Sequence, residues 1–397
     1  MSVEPTTLAI LAAVGFLAYA NGANDNYKGV ATLFGSGTAG YRRALWLATV
    51  FTLAGSGAAA VLGARLIEAF SGKGLIPAAT LAEPGFLLAV SAGAAGTVLL
   101  ATRLGMPVST THAIVGALVG AGLASAGGVA TGRLMGVFLL PLLVTPLIAV
   151  AATGVLHRTL RAARLGSGVV RETCVCIGTE CEPVARESAP LTVAGVGADG
   201  AVLLQPAAGG EATRRQLSIT VSDEATCIQR YEGRVLGLRA EAVLNALHYA
   251  SAAAVSFARG LQDTAKIVGL LVGAALVGAG SAAELSLGVL FVGLLMAAGG
   301  LVSARRVAHT VAREITPMNH GQGFCANLVT SVLVILSGAR GLGVSTTHCS
   351  VGSVFGIGVA GRSARWRTVG AILLAWLFTL PAGAALAALA HLAVGAL

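Results

Sequence analysis

The chain has 397 residues, 55% of them hydrophobic and only 11% charged, with a mean hydropathy of +0.83. Soluble globular chains carry about 25% charged residues, and a soluble fold of this length must turn much of its surface to water, so a soluble protein is excluded. The net charge of +9 would suggest nucleic acid in a soluble domain, but here Arg crowds the short loops beside apolar runs, as in the cytoplasmic loops of membrane proteins, and no nucleic-acid partner is expected.

Apolar runs long enough to cross the roughly 30 Å hydrocarbon core begin with residues 6–40, interrupted by a polar patch at 21–28. The residues before Asn21 lack Lys and Arg and lead straight into that patch, so they read as a retained helix rather than a signal peptide. Further runs cover 44–64, 85–102, 107–124 and 134–157. Residues 158–240 are polar, charged and rich in short β-like stretches, and read as a small soluble insert. Apolar runs resume at 241–279, interrupted near 259–266, and continue at 285–303, 322–338, 343–360 and 369–395. The expected fold is an all-α polytopic membrane protein with broken or re-entrant helices. It is divided into a first transmembrane repeat (1–157), a β-rich cytoplasmic insert (158–240) and a second, inverted transmembrane repeat (241–397). Placing the insert in the cytoplasm puts Arg42, Arg43, Arg103, Arg305, Arg306, Arg313, Arg362, Arg365 and Arg367 inside and only Arg65, Lys73, Arg133 and Arg340 outside, in line with the positive-inside rule.

The division rests on self-similarity. Asn24-Asp25-x-x-Lys28 recurs as Gln262-Asp263-x-x-Lys266, and Val108-Ser109-Thr110-Thr111-His112 recurs as Val344-Ser345-Thr346-Thr347-His348, in the same order and at nearly the same separation. An odd number of spans per half would insert the two copies oppositely, a recurring architecture of secondary transporters.

An ionised Asp at bilayer depth is costly unless it is paired or hydrated. Gly, Asn and Asp together favour an unwound segment, and freed carbonyls beside a carboxylate make a hard-oxygen site for a cation. Asn24, Asp25, Gln262 and Asp263 are therefore the candidate cation ligands, for Na⁺ or H⁺; the plainer reading is a structural Asp paired with the nearby Lys28. Pro107 or Gly343 followed by Ser-Thr-Thr reads as a helix start. Such an end presents free N–H groups and hydroxyls to an oxyanion, which nominates Ser109, Thr110, Thr111, Ser345, Thr346 and Thr347; the plainer reading is a pair of helix caps. Arg259 is either an anion contact or a counter-ion for Asp263. His112 and His348 are expected to hydrogen-bond across a helix contact.

The chain resembles the inorganic phosphate transporter family on two features. These are the repeated Gly-Ala-Asn-Asp motif, here Gly22-Ala23-Asn24-Asp25 and Gly260-Leu261-Gln262-Asp263, and the paired Ser-Thr-Thr-His stretches. The resemblance covers roughly 5–157 and 241–395. It implies a secondary transporter of inorganic phosphate driven by Na⁺ or H⁺, multi-pass in the cell membrane among its lipids and homodimeric. It places phosphate at the Ser-Thr-Thr stretches and the cation at the Asp motifs. The alternatives are a sulfate or other oxyanion permease of the same fold and, further off, an anion channel, which needs a continuous polar lining. No G-x4-GK[ST] loop is present, no catalytic triad or metal-ligand spacing is evident, and neither an enzyme nor a cofactor is expected. Cys174, Cys176, Cys181 and Cys227 do not follow zinc-pair spacing and read as reduced thiols.

Overall fold

The computed structural model describes residues 5–125, 127–169, 173–184, 191–196, 202–206, 212–223, 236–274 and 281–395. Apolar runs surrounded by lipid must satisfy every backbone group internally, and the runs of this chain do so as helices. The first half holds α1 (Pro5–Asp25), a 3₁₀ turn (Asn26–Gly29), α2 (Ala31–Gly35), α3 (Tyr41–Leu62), α4 (Ala64–Phe70), α5 (Ala78–Leu81), α6 (Pro84–Arg103), α7 (Thr110–Ala124), α8 (Thr131–Arg133) and α9 (Leu140–Gly166). The second holds α10 (Ala240–Gly273), α11 (Ala282–Ser303), α12 (Arg305–His309), α13 (His320–Ala339), α14 (Thr346–Ala360) and α15 (Trp366–Gly395). Short π-helical stretches at Leu134–Leu139 and Thr310–Glu314 join α8 to α9 and extend α12.

Among the described residues, seven helical stretches are long and apolar enough to cross a membrane, which makes this a multi-pass membrane protein. α10 is longer than most of them at 34 residues, but Arg259, Asp263 and Lys266 interrupt its apolar run. Two expected spans are corrected. The runs at 107–124 and 343–360 form helices of only 15 residues, α7 and α14, about 22 Å long at about 1.5 Å per residue, too short to cross the core. Each begins after an extended segment and a Ser N-cap, so the polar stretch displaces the helix start into the interior. A third correction concerns the second polar patch. The break expected near 259–266 is absent, and α10 runs through it without interruption. The first copy spends Asn21, Asn24, Asp25 and Asn26, all poor helix formers, within six positions, whereas the second uses Leu261, Gln262, Ala265 and Lys266, which favour helix.

The chain divides into two compact units, one made of residues 1–162 and 245–397 and the other of residues 163–244. In the first, α1 packs against α6 and α11, α3 against α11, α15 against α6 and α7, and α13 against α14. The core is filled by Ala, Val, Leu and Ile with few aromatics, among them Phe70, Phe86 and Phe138. The motif glycines set the closest crossings. A Cβ on Gly22 would stand 1.9 Å from the Met296 carbonyl oxygen of α11, and one on Gly260 would stand 2.2 Å from the Thr52 carbonyl oxygen of α3. Small residues let membrane helices approach to backbone contact, and here the equivalent glycine of each copy seats its helix on the second long helix of the other half. Arg contacts sort by the sides assigned from charge. Arg306 donates to the Arg103 carbonyl at 2.6 Å and Arg365 to the Arg313 carbonyl at 2.9 Å, while Arg65 donates to the Ala339 carbonyl at 3.0 Å.

The second unit is a small antiparallel sheet of β1 (Thr173–Val184), β4 (Ala212–Asp223) and β5 (Leu236–Arg239) in the order β4-β1-β5, with β2 (Leu191–Val196) and β3 (Val202–Pro206) as a separate hairpin. Cys174 and Cys176 are buried on one face of β1, and Val175 and Ile177 are exposed on the other, the alternation that a half-covered strand requires. Cys227 and the side chain of Cys181 lie outside the described residues.

Candidate functional site

Five charged side chains are buried in the helical unit, and among the described residues they are the only buried Asp, Glu, Lys or Arg: Asp25, Lys28, Arg259, Asp263 and Lys266, each at most 2% exposed. Two carboxylates face three cations, so in ordinary charge states the interior keeps one uncompensated positive charge.

The break after α1 places the first group. Asn24, Asp25 and Asn26 end the helix, and the 3₁₀ turn swings Lys28 back over them. The Lys28 carbonyl, released from the helical ladder, accepts from the Ser350 hydroxyl of α14 at 3.2 Å. Asp25 Oδ1 accepts from Lys28 Nζ and from Thr347 Oγ1 at 3.4 Å, and Asp25 Oδ2 accepts from Asn21 at 3.2 Å and from Thr110 Oγ1 at 3.3 Å. Asp25 is thus met by a hydroxyl from each Ser-Thr-Thr stretch. Asn24 is a bracket rather than an open ligand. Its amide donates to Thr102 Oγ1 at 2.9 Å and to the Met106 carbonyl at 3.0 Å, and its oxygen accepts from the Val108 N–H at 3.1 Å and from Lys28 at 2.7 Å.

The second group is built on an unbroken helix turn, so Arg259, Asp263 and Lys266 lie on one face of α10. Lys266 Nζ donates to Asp263 Oδ1 at 3.3 Å, to Thr111 Oγ1 at 3.0 Å and to the Val344 carbonyl at 3.0 Å. Arg259 Nη2 donates to Asn26 Oδ1 at 3.0 Å and to Thr52 Oγ1 at 2.6 Å. Its Nη1 lies 3.6 Å from Asp263 Oδ2, inside ion-pair range but beyond hydrogen-bond reach. Among the described residues, Arg259 Nε and Nη1, Asp263 Oδ2 and Gln262 Oε1 have no hydrogen-bond partner. Gln262 turns its amide to the Val334 carbonyl and, at 3.2 Å, to Ser337 Oγ.

The Ser-Thr-Thr stretches meet at this centre. Ser109 and Ser345 cap α7 and α14, accepting the His112 and His348 N–H groups at 3.2 and 3.1 Å, with nearly identical backbone angles. Thr111 donates across to the Val344 carbonyl at 3.3 Å, and Thr347 to the Val108 carbonyl at 2.9 Å. Each stretch therefore bonds to the other, and Thr110 and Thr346 are buried beside them. Behind them the His112 and His348 rings lie 4.6 Å apart, and His348 stacks on Trp376 at 3.9 Å. His348 Nδ1 lies 3.0 Å from the Leu142 carbonyl, which can only accept, and Trp376 donates to the Pro107 carbonyl at 2.9 Å. These contacts hold the approach to both helix starts.

The structure thus gathers Asn24, Asp25, Asp263, Arg259 and the threonines into one buried cluster. Gln262 stands at its edge and the serines support it as caps. Sequence reasoning named Lys28 only as a partner for Asp25, a pairing that the structure contains, and gave Lys266 no role, although both stood in the repeated pattern; their recurrence three residues after each Asp was the signal. It also passed over Asn21, Asn26, Thr52 and Thr102, which no repeat marks.

Residues 21–387 match the model of a family described as the phosphate transporter family. The chain is 26% identical to the chloroplastic inorganic phosphate transporter 2-1 of Arabidopsis thaliana over 94% of its length and 69% of the relative's. It is 25% identical to a candidate phosphate permease of Pyrococcus abyssi over 98% of both chains. Its fold matches a solved structure titled the sodium-dependent phosphate transporter, with a TM-score of 0.72 and 19% identity over 99% of this chain and all of that one.

Proposed function

The chain belongs to the phosphate transporter family, and from that membership we propose that it carries inorganic phosphate through its buried charged cluster as a secondary transporter. The observation that carries the reading is the excess positive charge. A buried charge needs a partner, and Lys28, Lys266 and Arg259 outnumber Asp25 and Asp263. That excess lies beside two Ser-capped helix starts, whose N–H groups and partial positive charge favour an oxyanion. One monoanion balances the cluster. Phosphate near neutral pH is partly a monoanion and sulfate is a dianion that would balance the cluster only together with one bound coupling cation; the choice of phosphate over sulfate rests on the family.

In this reading Arg259, whose Nε and Nη1 are unpartnered among the described residues, and the hydroxyls of Ser109, Thr110, Thr111, Ser345, Thr346 and Thr347 contact the anion. Asn24, Asp25, Gln262 and Asp263 hold the positive charge that accompanies it. The driving ion is Na⁺ or H⁺, and the site is reached from either side of the membrane in turn. A channel is disfavoured because the interior polar groups bond to one another across the two halves instead of lining a path.

Uptake of radiolabelled phosphate into proteoliposomes, with sulfate as competitor, tests the proposal. Phosphate should accumulate and sulfate should compete weakly; preferred accumulation of sulfate would replace phosphate as the substrate, and uptake that only equilibrates under every ion gradient would mean a channel. The double substitution Ser109→Ala with Ser345→Ala should raise the KM for phosphate by roughly an order of magnitude while lowering stability by about 1 kcal/mol per cap. An unchanged KM would remove the helix starts from the binding site.

A further inference from the structure

Lys28 and Lys266 are placed as cations in a coordination shell rather than as partners in simple ion pairs. Around Lys28 Nζ stand the Asn24 amide oxygen at 2.7 Å, the Asp25 carboxylate, the Val108 peptide carbonyl at 2.8 Å and Thr347 Oγ1 at 2.7 Å. An ammonium has three N–H groups, yet four oxygens converge on this one. A carboxylate, an amide oxygen, a peptide carbonyl and a hydroxyl are the oxygen types that hold a hard cation. Lys266 repeats the arrangement with the Asp263 carboxylate, the Val344 carbonyl and Thr111 Oγ1. The correspondence is reciprocal. Each ammonium takes the carboxylate three residues before it, the carbonyl before the Ser-Thr-Thr stretch of its own half, and the last threonine of the stretch in the other half.

We propose that Lys28 and Lys266 are tethered counter-cations that fill the two oxygen cages where a mobile coupling cation would otherwise sit, so that this chain carries its oxyanion without sodium. The inference rests on the transport reading above and decides between the coupling ions left open there. An ammonium at hydrogen-bond distance from the cage oxygens leaves no room for a second ion among them. A sodium ion beside the cage would face the lysine and, at the second cage, Arg259 as well, whose Nη1 is 3.6 Å from Asp263; like charges that close in a water-poor interior repel strongly. The carboxylates remain neutralised through the cycle whether or not sodium is present.

The test uses the full-length chain in proteoliposomes, with phosphate uptake compared in sodium chloride and in choline chloride at one pH. Wild-type rates should agree to within about a factor of two; stimulation by sodium of roughly an order of magnitude or more would overturn the proposal. In the double variant Lys28→Asn with Lys266→Asn, which keeps a polar side chain and removes the charge, uptake in choline should fall by roughly an order of magnitude and sodium should restore it. Wild-type uptake by the variant in choline, or a folded variant that sodium does not restore, would each count against the cages. Should the variant not fold, thermal unfolding of the detergent-solubilised wild type decides. Replacing choline with sodium should leave its Tm unchanged, and a saturable rise specific to sodium would refute the tethered-cation assignment. If the wild type carries no oxyanion in either salt, the transport reading fails, while the unfolding measurement, which needs no transport, still decides this one.

Discussion

At the scale of single residues, the cluster holds one cation more than it has carboxylates, so neither acid can be spared. Asp25 is the residue with the most to lose, since it takes Lys28, Asn21, Thr110 and Thr347 together. Removing one partner of a buried ion pair costs about 3–5 kcal/mol, because the other charge is left uncompensated. Asp25→Asn should therefore abolish uptake and lower the Tm, and adding Lys28→Met should recover part of the Tm without recovering uptake. Thermal unfolding of both variants checks this, and a double variant no more stable than the single would show that Lys28 does not depend on Asp25. The acids were legible in the sequence because a charged residue inside an apolar run has few innocent explanations. The lysines stood in the same motif and were read only as neighbours of the acids, because sequence spacing places Lys28 near Asp25 but cannot bring Thr347 and Val108 to it. Those partners come from elsewhere in the chain, and only the folded helices supply them.

At the scale of helices, composition gave the positions of the apolar runs but not their lengths or continuity. Runs 107–124 and 343–360 looked long enough to cross, yet the chain stays non-helical through Pro107 and Gly343 as far as the Ser caps, so α7 and α14 begin late and stay short. The second polar patch looked like the first but kept its helix, since Gln262, Ala265 and Lys266 prefer the helical state that Asn24 and Asn26 leave. Helix crossings were hidden as well. Gly22 and Gly260 read as unwinding residues, while the structure uses them to bring each helix against a carbonyl of its neighbour. Gly260→Ala would place a methyl 2.2 Å from the Thr52 carbonyl oxygen, and backbone on both sides leaves little to yield. The expected loss is about 1–3 kcal/mol, seen as a lower Tm and poorer monodispersity in detergent; an unchanged Tm would mean that this crossing relaxes freely.

At the scale of the whole helical unit, the two halves are linked reciprocally: Lys28 reaches Thr347 and Lys266 reaches Thr111, while Gly22 and Gly260 seat each first helix on the opposite half. The halves are nonetheless unequal, because α1 stops at Asp25 and the chain passes through a 3₁₀ turn to α2, whereas α10 continues to Gly273. An interrupted helix can hinge where its ladder is missing, and a continuous one must move as a rod. Compliance is then concentrated in the first half, even where the motifs match. Amide hydrogen–deuterium exchange followed by mass spectrometry should find peptides spanning 26–35 exchanging well ahead of those spanning 259–273, and equal protection of the two would mean that the interruption confers no mechanical difference.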